Sequence, residues 1–420
     1  MRVIGDFHIH SRFSRATSPA LNLPNLAENA RIKGLDLLGT GDITHPKWFA
    51  EVSEQLEDND GILHLRGAGE KAPKFVITSE VATVFQHEGR SRKIHHCLLL
   101  PDLEVAKQLS DKLEQKGNLK EDGRPLLNMT ATELVEILKG ISRDTEIYPA
   151  HAWTPWWSLF GANFGFDSSK ECYQEYSSDM HALETGLSSD PPMNWRMSEL
   201  DGLTLLSNSD CHSAYPFRLG REANILELDN LTYSSLIDAI RKKGKNKVVS
   251  TIETKPEYGK YHWTGHRVCG ISLSGDESKK IGAKCPKCGR KLTRGVEERV
   301  SELADRPKGF KPKVAAGWTY AYPLQELIAE TMGESSPLSK TVQHLYDKAI
   351  AALNNEFNIT LFAPIASVAE VLGKEIAHLV AAIRNDMAEI VPGYDGVYGK
   401  LKLASKGEKA PPKEGLDIWI

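Results

Sequence analysis

The chain has 420 residues, 40% of them hydrophobic, with 52 Lys and Arg against 56 Asp and Glu and only six cysteines. That length and apolar content support a large core shared among two or three domains, and they exclude a small disulfide-held scaffold. No run of about 18 apolar residues and no basic-then-apolar leader occurs, which predicts an intracellular, cytoplasmic protein.

The first apolar lead-in, "MRVIGDF", runs into His8-x-His10. On a β-strand side chains two apart share a face, so these imidazoles can grip one ion. Further short apolar runs follow in order, "FVIT", "HHCLLL", "TEIYPA", "LTLLSNS" and "ANILEL", separated by helix-like stretches such as "NLPNLAENARIKG" and "TATELVEILKGI". This alternation predicts an α/β unit over residues 1–250, with a largely parallel sheet or barrel. Residues 251–320, rich in Lys, Gly and Cys, read as a small basic module. Residues 321–420 read as helical from "PLQELIAETMG" through "AHLVAAIRNDMAEIV", with apolar spacings of three to four and a loosely held tail "GEKAPPKEGLDIWI".

Charge is uneven along this frame. From Arg241 to Lys313 there are 20 Lys and Arg against 8 Asp and Glu, although the whole chain carries −4. The excess reads either as a solvated basic face or as a surface for a polyanion such as nucleic acid.

Polar residues stand at or just beyond the predicted strands: Asp42 after "LDLLGTG", Glu80 after "FVITS", His96 in "RKIHHCLLL", His151 after "EIYPA", and Asp210 with His212 after "LTLLSNS". In a (β/α) barrel, strand ends at one face converge on the active site. Mixed imidazole and carboxylate donors suit Zn, Mn or Fe. Shared carboxylates suit a cluster of ions about 3.5–4 Å apart, which activates water and clamps the oxygens of a phosphoryl displacement. Phosphoester hydrolysis is the reaction these residues fit best. Neither GxSxG nor GxxxxGK[ST] occurs, which argues against a serine hydrolase and an NTPase.

Together "HIHSRFS", "GLDLLGTGD", Glu80, "HHCLLL", "PAH" and "SDCH" resemble the ordered motifs of the PHP (polymerase and histidinol phosphatase) family over roughly residues 1–250. The resemblance implies a distorted (β/α)7 barrel holding two to three divalent ions (Zn, Mn, Mg or Fe). His8, His10, Glu80 and Asp210 would hold one ion, Glu80, His96 and His151 a second, and Asp42 with His212 a third. Many relatives have Asp-His where this chain has Asp42-Ile43, so the third position is the weak one, with His45 as a substitute or as a loop residue facing solvent. His95 would face the opposite way from His96 on a strand and is read as a non-ligand.

A second constellation lies in the basic module. His266-x2-Cys269, fifteen residues, then Cys285-x2-Cys288 has the spacing of a closed structural zinc site, with His262 as an alternative to His266. Cys97, Cys172 and Cys211 lack such pairing and read as buried thiols.

A PHP barrel followed by "YHWTGHRVCGISLS", "CPKCGRKLTRGVEERVSELADRP" and "YPLQELIAETMG" resembles the endonuclease Q family, chiefly archaeal, to about residue 400. That resemblance implies DNA repair: nicking on the 5′ side of uracil, hypoxanthine, xanthine or an abasic site in single- or double-stranded DNA, leaving a 3′-hydroxyl and a 5′-phosphate. It brings a DNA sliding clamp into view as a partner, with the C-terminal tail as its contact, and a nucleoid-associated location. An enzyme that tests a base needs a pocket with aromatic walls. "HAWTPWWSLFGANFGF" offers Trp153, Trp156, Trp157, Phe160, Phe164 and Phe166, either as such walls or as core. "ETGLSSDPPMNW" offers Glu184 and Asp190 as catalytic carboxylates, Asp190 alternatively being a turn residue before Pro-Pro, and "AYPFRLGRE" offers Arg218 and Arg221 near the cluster or paired with an acid. Two other readings stand beside this one. A small-molecule phosphatase of the histidinol-phosphatase type leaves the basic zinc module without a use, and a non-catalytic DNA-binding PHP protein leaves the retained histidines and acids unexplained.

Overall fold

The apolar runs become strands of one curved sheet. In the computed structural model, which describes residues 1–402, the strands framing the site are β1 (Arg2–Asp6), β2 (Leu37–Gly39), β3 (Lys74–His87), β4 (Arg90–Leu100), β5 (Glu146–Pro149), β6 (Ala182–Glu184), β7 (Thr204–Leu206), β8 (Ala223–Glu227), β9 (Lys247–Glu253) and β10 (Gly317–Tyr320). Neighbours run β10-β9-β8-β1-β2-β3-β4-β5, with β6 and β7 as a separate parallel pair. Single backbone hydrogen bonds close the ring: Ala152 N–H donates to Glu184 O (2.9 Å) beyond β5, and His10 N–H donates to Cys211 O (3.2 Å) between the ends of β1 and β7. The result is a distorted α/β barrel whose strand ends converge.

The sheet is mixed rather than largely parallel. β1–β2, β2–β3 and β9–β10 are parallel, whereas β3–β4, β4–β5, β1–β8 and β8–β9 are antiparallel. The reason is local at β3–β4: Glu88 (φ 49°) and Gly89 (φ 74°) form a two-residue turn with both φ positive, the geometry that folds a strand directly back on itself.

Helices cover the barrel where the sequence places caps. Asn22 accepts from Asn25 N–H to start Leu23–Lys33, which stops at left-handed Gly34 (φ 98°), and Thr130 with Glu133 forms a capping box on Ala131–Ile141. Leu26, Leu38, Ile77, Ile94, Leu98, Leu134, Ile147 and Leu183 pack into the main core. Val296 and Val300, on the helix Val296–Leu303 of the basic module, reach the same core, so that module is docked onto the barrel.

The expected boundary at residue 250 falls inside β9, and β10, at the end of the expected basic module, pairs with β9. After it the helices Leu324–Met332, Lys340–Leu353, Ile365–Leu372 and Lys374–Arg384 build their own core around Ile328, Val342, Tyr346, Val368 and Val380. The last helix stops at Arg384, short of the helical pattern read to 391, because Asp386 turns left-handed (φ 56°) and Ile390–Val391 pairs as a strand with Lys400–Leu401. The unit is locked to the barrel by buried Lys33, whose Nζ lies 2.7 Å from Glu356 Oε1 and donates to Pro216 O (2.9 Å). The tail at 407–420, with the clamp contact assigned to it, lies outside the described residues. Among the described helices, none is long and apolar enough to cross a membrane.

Where β9 meets β6 and β7, Glu253 is buried beside Glu222, both accepting from Ser207 Oγ (3.1 and 3.0 Å), with Thr185, Thr251 and Asp190 close by. Burial raises the Glu253 carboxyl from 4.5 to about 8, so the folded chain keeps a proton that the unfolded chain releases. Stability from this group is therefore complete at acidic pH and falls as pH climbs through that interval. Asp190, pushed up to about 6 by burial, acts in the same direction. Glu253→Gln is expected to flatten the decline of the urea midpoint with pH across this window; an unchanged slope would refute the assignment.

Candidate metal centre

Glu80 sits mid-strand on β3 with 1% exposure, and five side chains reach it. Its Oε2 lies 3.4 Å from His8 Nε2, 3.2 Å from His10 Nε2 and 3.2 Å from Arg124 Nη1, and its Oε1 lies 2.6 Å from His95 Nδ1 and 3.3 Å from His151 Nε2. Asp210 Oδ1 completes one side, 3.0 Å from His10 Nε2 and 3.6 Å from His8 Nε2. Two donor sets share Glu80: His8, His10, Glu80 and Asp210, and Glu80, His95 and His151, each with its donor atoms within 4.8 Å of one another.

Backbone geometry places these groups. His8 and His10 follow β1 at the two-residue spacing the sequence displays. Asp42, His151 and Asp210 each follow a strand with positive φ (46°, 30° and 45°), a region costly for non-glycine residues and concentrated at functional sites. Gly41 (φ 62°) lets the "TGD" turn pass against β1's continuation, since a Cβ there would collide with Ile9 O.

The histidines are oriented from behind. Glu184 accepts from His8 Nδ1 (2.9 Å) as well as from His151 N–H (2.6 Å) and Asn208 Nδ2 (2.8 Å), and Asp42 accepts from His10 Nδ1 (3.0 Å), Ser11 N–H (2.6 Å), Ser11 Oγ (2.7 Å) and Ser14 Oγ (2.9 Å). A carboxylate on Nδ1 sets the tautomer and leaves Nε2 as a donor toward the cluster. Burial alone would raise the Glu80 carboxyl, but His95, Arg124 and His8 hold it well below the usual range. Burial drives His95 down to about 4, leaving a neutral imidazole suited to a cation.

The donor set fits divalent cations. His8 Nε2 and Glu80 Oε1 are buried and, among the described residues, lack a hydrogen-bond partner of proper geometry, which a cation between them would supply. Imidazoles with carboxylates are the donors of Zn, Mn and Fe sites.

Several expected positions are corrected. His96, read as a ligand, points away from the cluster, with Thr83 Oγ1 2.9 Å from its Nε2 and Tyr173 OH 3.1 Å from its Nδ1, while His95 reaches Glu80. The two do face opposite ways on β4, and it is His95 that faces inward, because register with β3 is a tertiary property. Asp42 stands behind His10 rather than at a third position. His212 stays beside the cluster, edge-on to His10 (4.7 Å) and with its Nδ1 3.0 Å from Asp210 O, outside the two donor sets. His45 lies against Phe13 (4.6 Å) and outside both donor sets. Glu184 positions His8 and does not face the mouth. Asp190 caps the turn Pro191–Asn194 and accepts from Tyr320 OH (2.7 Å), and Arg221 binds Glu326 (2.8 Å) and Phe217 O (3.1 Å), so neither touches the cluster. Arg124, in the loop "EDGRP", carries no pattern that sequence reading detects.

In the basic module His266, Cys269, Cys285 and Cys288 gather their donor atoms within 4.8 Å, across the hairpin Thr264–His266/Ile271–Leu273 and the "CPKC" turn. His262 is not in that group. Of the aromatic stretch, Trp153, Phe160 and Phe166 are core, whereas Trp156, Trp157 and Phe164 are half-buried. Trp157 lies 5.2 Å from the His95 ring, and Lys93 stands over both Trp157 and Phe164.

Residues 323–387 match the family described as the MJ0043 C-terminal domain. The Methanocaldococcus jannaschii protein MJ0043 is 35% identical over 273 residues, 64% of this chain; the chain spans about a third (34%) of that relative's length. The crystal structure of the lesion-specific endonuclease PfuEndoQ from Pyrococcus furiosus superposes with a TM-score of 0.85 at 35% identity, covering 96% of each chain. An endonuclease Q complex with a 27-mer duplex substrate carrying an abasic lesion at its active site superposes with a TM-score of 0.86 at 35% identity, covering 97% of this chain and 99% of that one.

His95→Ala is expected to lower the metal content of purified protein by about one equivalent, and His96→Ala to leave it intact while lowering the melting temperature through lost packing. Elemental analysis distinguishes the two, and equal metal loss in both variants would reverse the assignment.

Proposed function

Because the chain belongs to the endonuclease Q family, we propose that it is a metal-dependent DNA endonuclease that nicks duplex DNA beside a lesion. The observation that carries the reading is the pair of donor sets sharing buried Glu80 in a chain alike over nearly its whole length to a nuclease bound to an abasic duplex. The substrates proposed are abasic sites and deaminated bases (uracil, hypoxanthine, xanthine), with cleavage on the 5′ side leaving a 3′-hydroxyl and a 5′-phosphate.

His8, His10, Glu80 and Asp210, with His95 and His151 sharing Glu80, are the proposed holders of divalent ions. Such ions supply activation of water and neutralisation of charge on the phosphoryl oxygens. His266, Cys269, Cys285 and Cys288 are the proposed holders of a structural zinc that stabilises a module with little core of its own. Glu184 and Asp42 keep His8 and His10 in one tautomer and one orientation, so the donors need no rearrangement when substrate arrives. Trp157, half-buried beside His95, and Trp156, half-buried against Tyr261, are the proposed wall against which an unstacked nucleotide packs. Lys and Arg of the basic module meet phosphates and make affinity fall with salt. A phosphomonoesterase on the same barrel gains no support from that module.

End-labelled duplexes carrying one uracil, hypoxanthine or abasic site, incubated with protein and Mn²⁺, Mg²⁺ or Zn²⁺, should each yield a single nick 5′ of the lesion, with undamaged duplex intact. His8→Ala should lower the rate by about 10²–10³-fold, the order of loss expected when a positioned electrostatic group is removed. Phosphate release from a monoester with every duplex intact would overturn the proposal.

A further inference from the structure

Arg124 is a cation aimed into a cluster built to hold cations. Its Nη1 lies 3.2 Å from Glu80 Oε2, the oxygen that also faces His10 Nε2 at 3.2 Å, and its side chain is 23% exposed. Among the described residues the contact with Glu80 is its side chain's one hydrogen bond to the protein. A guanidinium carries five N–H donors, so most of this fork is free to face the mouth of the site.

The loop that delivers Arg124 is held on both sides. Gly123 N–H donates to Phe13 O (3.0 Å), Arg124 N–H donates to Asp122 Oδ1 (3.1 Å), and Pro125 O accepts from Ala82 N–H (3.0 Å) on β3. Asp122 Oδ1 accepts in turn from Arg15 N–H (3.2 Å). Gly123 packs so closely on Asp42 and Ser14 that a Cβ would collide with both. The loop thus covers Asp42 with Gly123, at the position given to a third ion by the family resemblance, and brings a guanidinium to Glu80.

We propose, on the footing of the endonuclease reading above, that Arg124 is a catalytic residue that binds the non-bridging oxygens of the scissile phosphate. With divalent ions on the shared carboxylates, a guanidinium on Glu80 is repelled by them, and an anion between the two relieves that repulsion. A phosphodiester offers two oxygens in the plane that the fork of Arg matches and a lysine ammonium does not. Charge on those oxygens is largest in the transition state, so the contact contributes more there than to ground-state binding.

The test uses the full-length, Mn²⁺-loaded chain and the abasic duplex. Arg124→Ala is expected to lower kcat by about 10²–10³-fold with KM changed by only a few fold, and Arg124→Lys to recover a minor part of the rate. Guanidinium ion at non-denaturing concentration should restore activity to Arg124→Ala and not to His8→Ala. Independently of turnover, duplex binding followed by fluorescence anisotropy in the His8→Ala background should show a salt slope smaller by about one when Arg124 is also replaced. Wild-type kcat in Arg124→Ala, or a rate loss matched by loss of bound metal in both Arg124→Ala and Arg124→Lys, would overturn the inference; the latter would make Arg124 a counter-charge for Glu80. A wild-type chain that leaves the abasic duplex intact would instead overturn the function on which the inference rests.

Discussion

Glu80 is a carboxylate with 1% exposure in the middle of a long strand, and such a charge is tolerated in a protein interior only when positive or hydrogen-bonding groups surround it. Four imidazoles and one guanidinium do so here, drawn from four separate segments of the chain. Removing Glu80 would leave those groups clustered without their common anion, and removing them would leave the anion stranded. The convergence of strand ends in the barrel is the physical solution to that mutual requirement, and the strained backbone at Asp42, His151 and Asp210 is held in place by it.

Behind the cluster a second layer of acids determines how the imidazoles present themselves. Glu184 links His8, the His151 backbone and Asn208, and Asp42 links His10 to two serines. Each acid satisfies several donors at once, so neither is available for proton transfer at the mouth of the site. This is why Glu184, which looks catalytic in the sequence, and Asp42, which looks like a metal ligand, stand as supports behind the histidines in the fold.

The rest of the chain is attached where it bears on this face. Arg299 of the basic module donates to Phe160 O (3.0 Å) and Phe166 O (3.1 Å), docking the module on the aromatic stretch that begins beside His151. The helical unit grips the loop that follows His212 through Arg218 and Arg221, both on Glu326, while Lys33 and Glu356 join it to the first barrel helix. The basic module and the helical unit are thus fastened to the loops that follow His151 and His212.

Local pattern decided much of this protein. The strand runs, the capped helices, the His8-x-His10 pair and the His-x2-Cys…Cys-x2-Cys set are legible because strand alternation, helix caps and short ligand spacings are encoded within a few residues. Only the tertiary structure decided which of the adjacent His95 and His96 faces inward, because that depends on the register of β4 against β3 and not on either strand alone. The same holds for Asp42, Glu184, Asp190 and Arg221, whose contacts with Ser11, His8, Tyr320 and Glu326 span from 31 to 176 residues of sequence. Arg124 is the extreme case: an arginine in a charged loop acquires a site only when the loop folds over Asp42 and brings its guanidinium to Glu80.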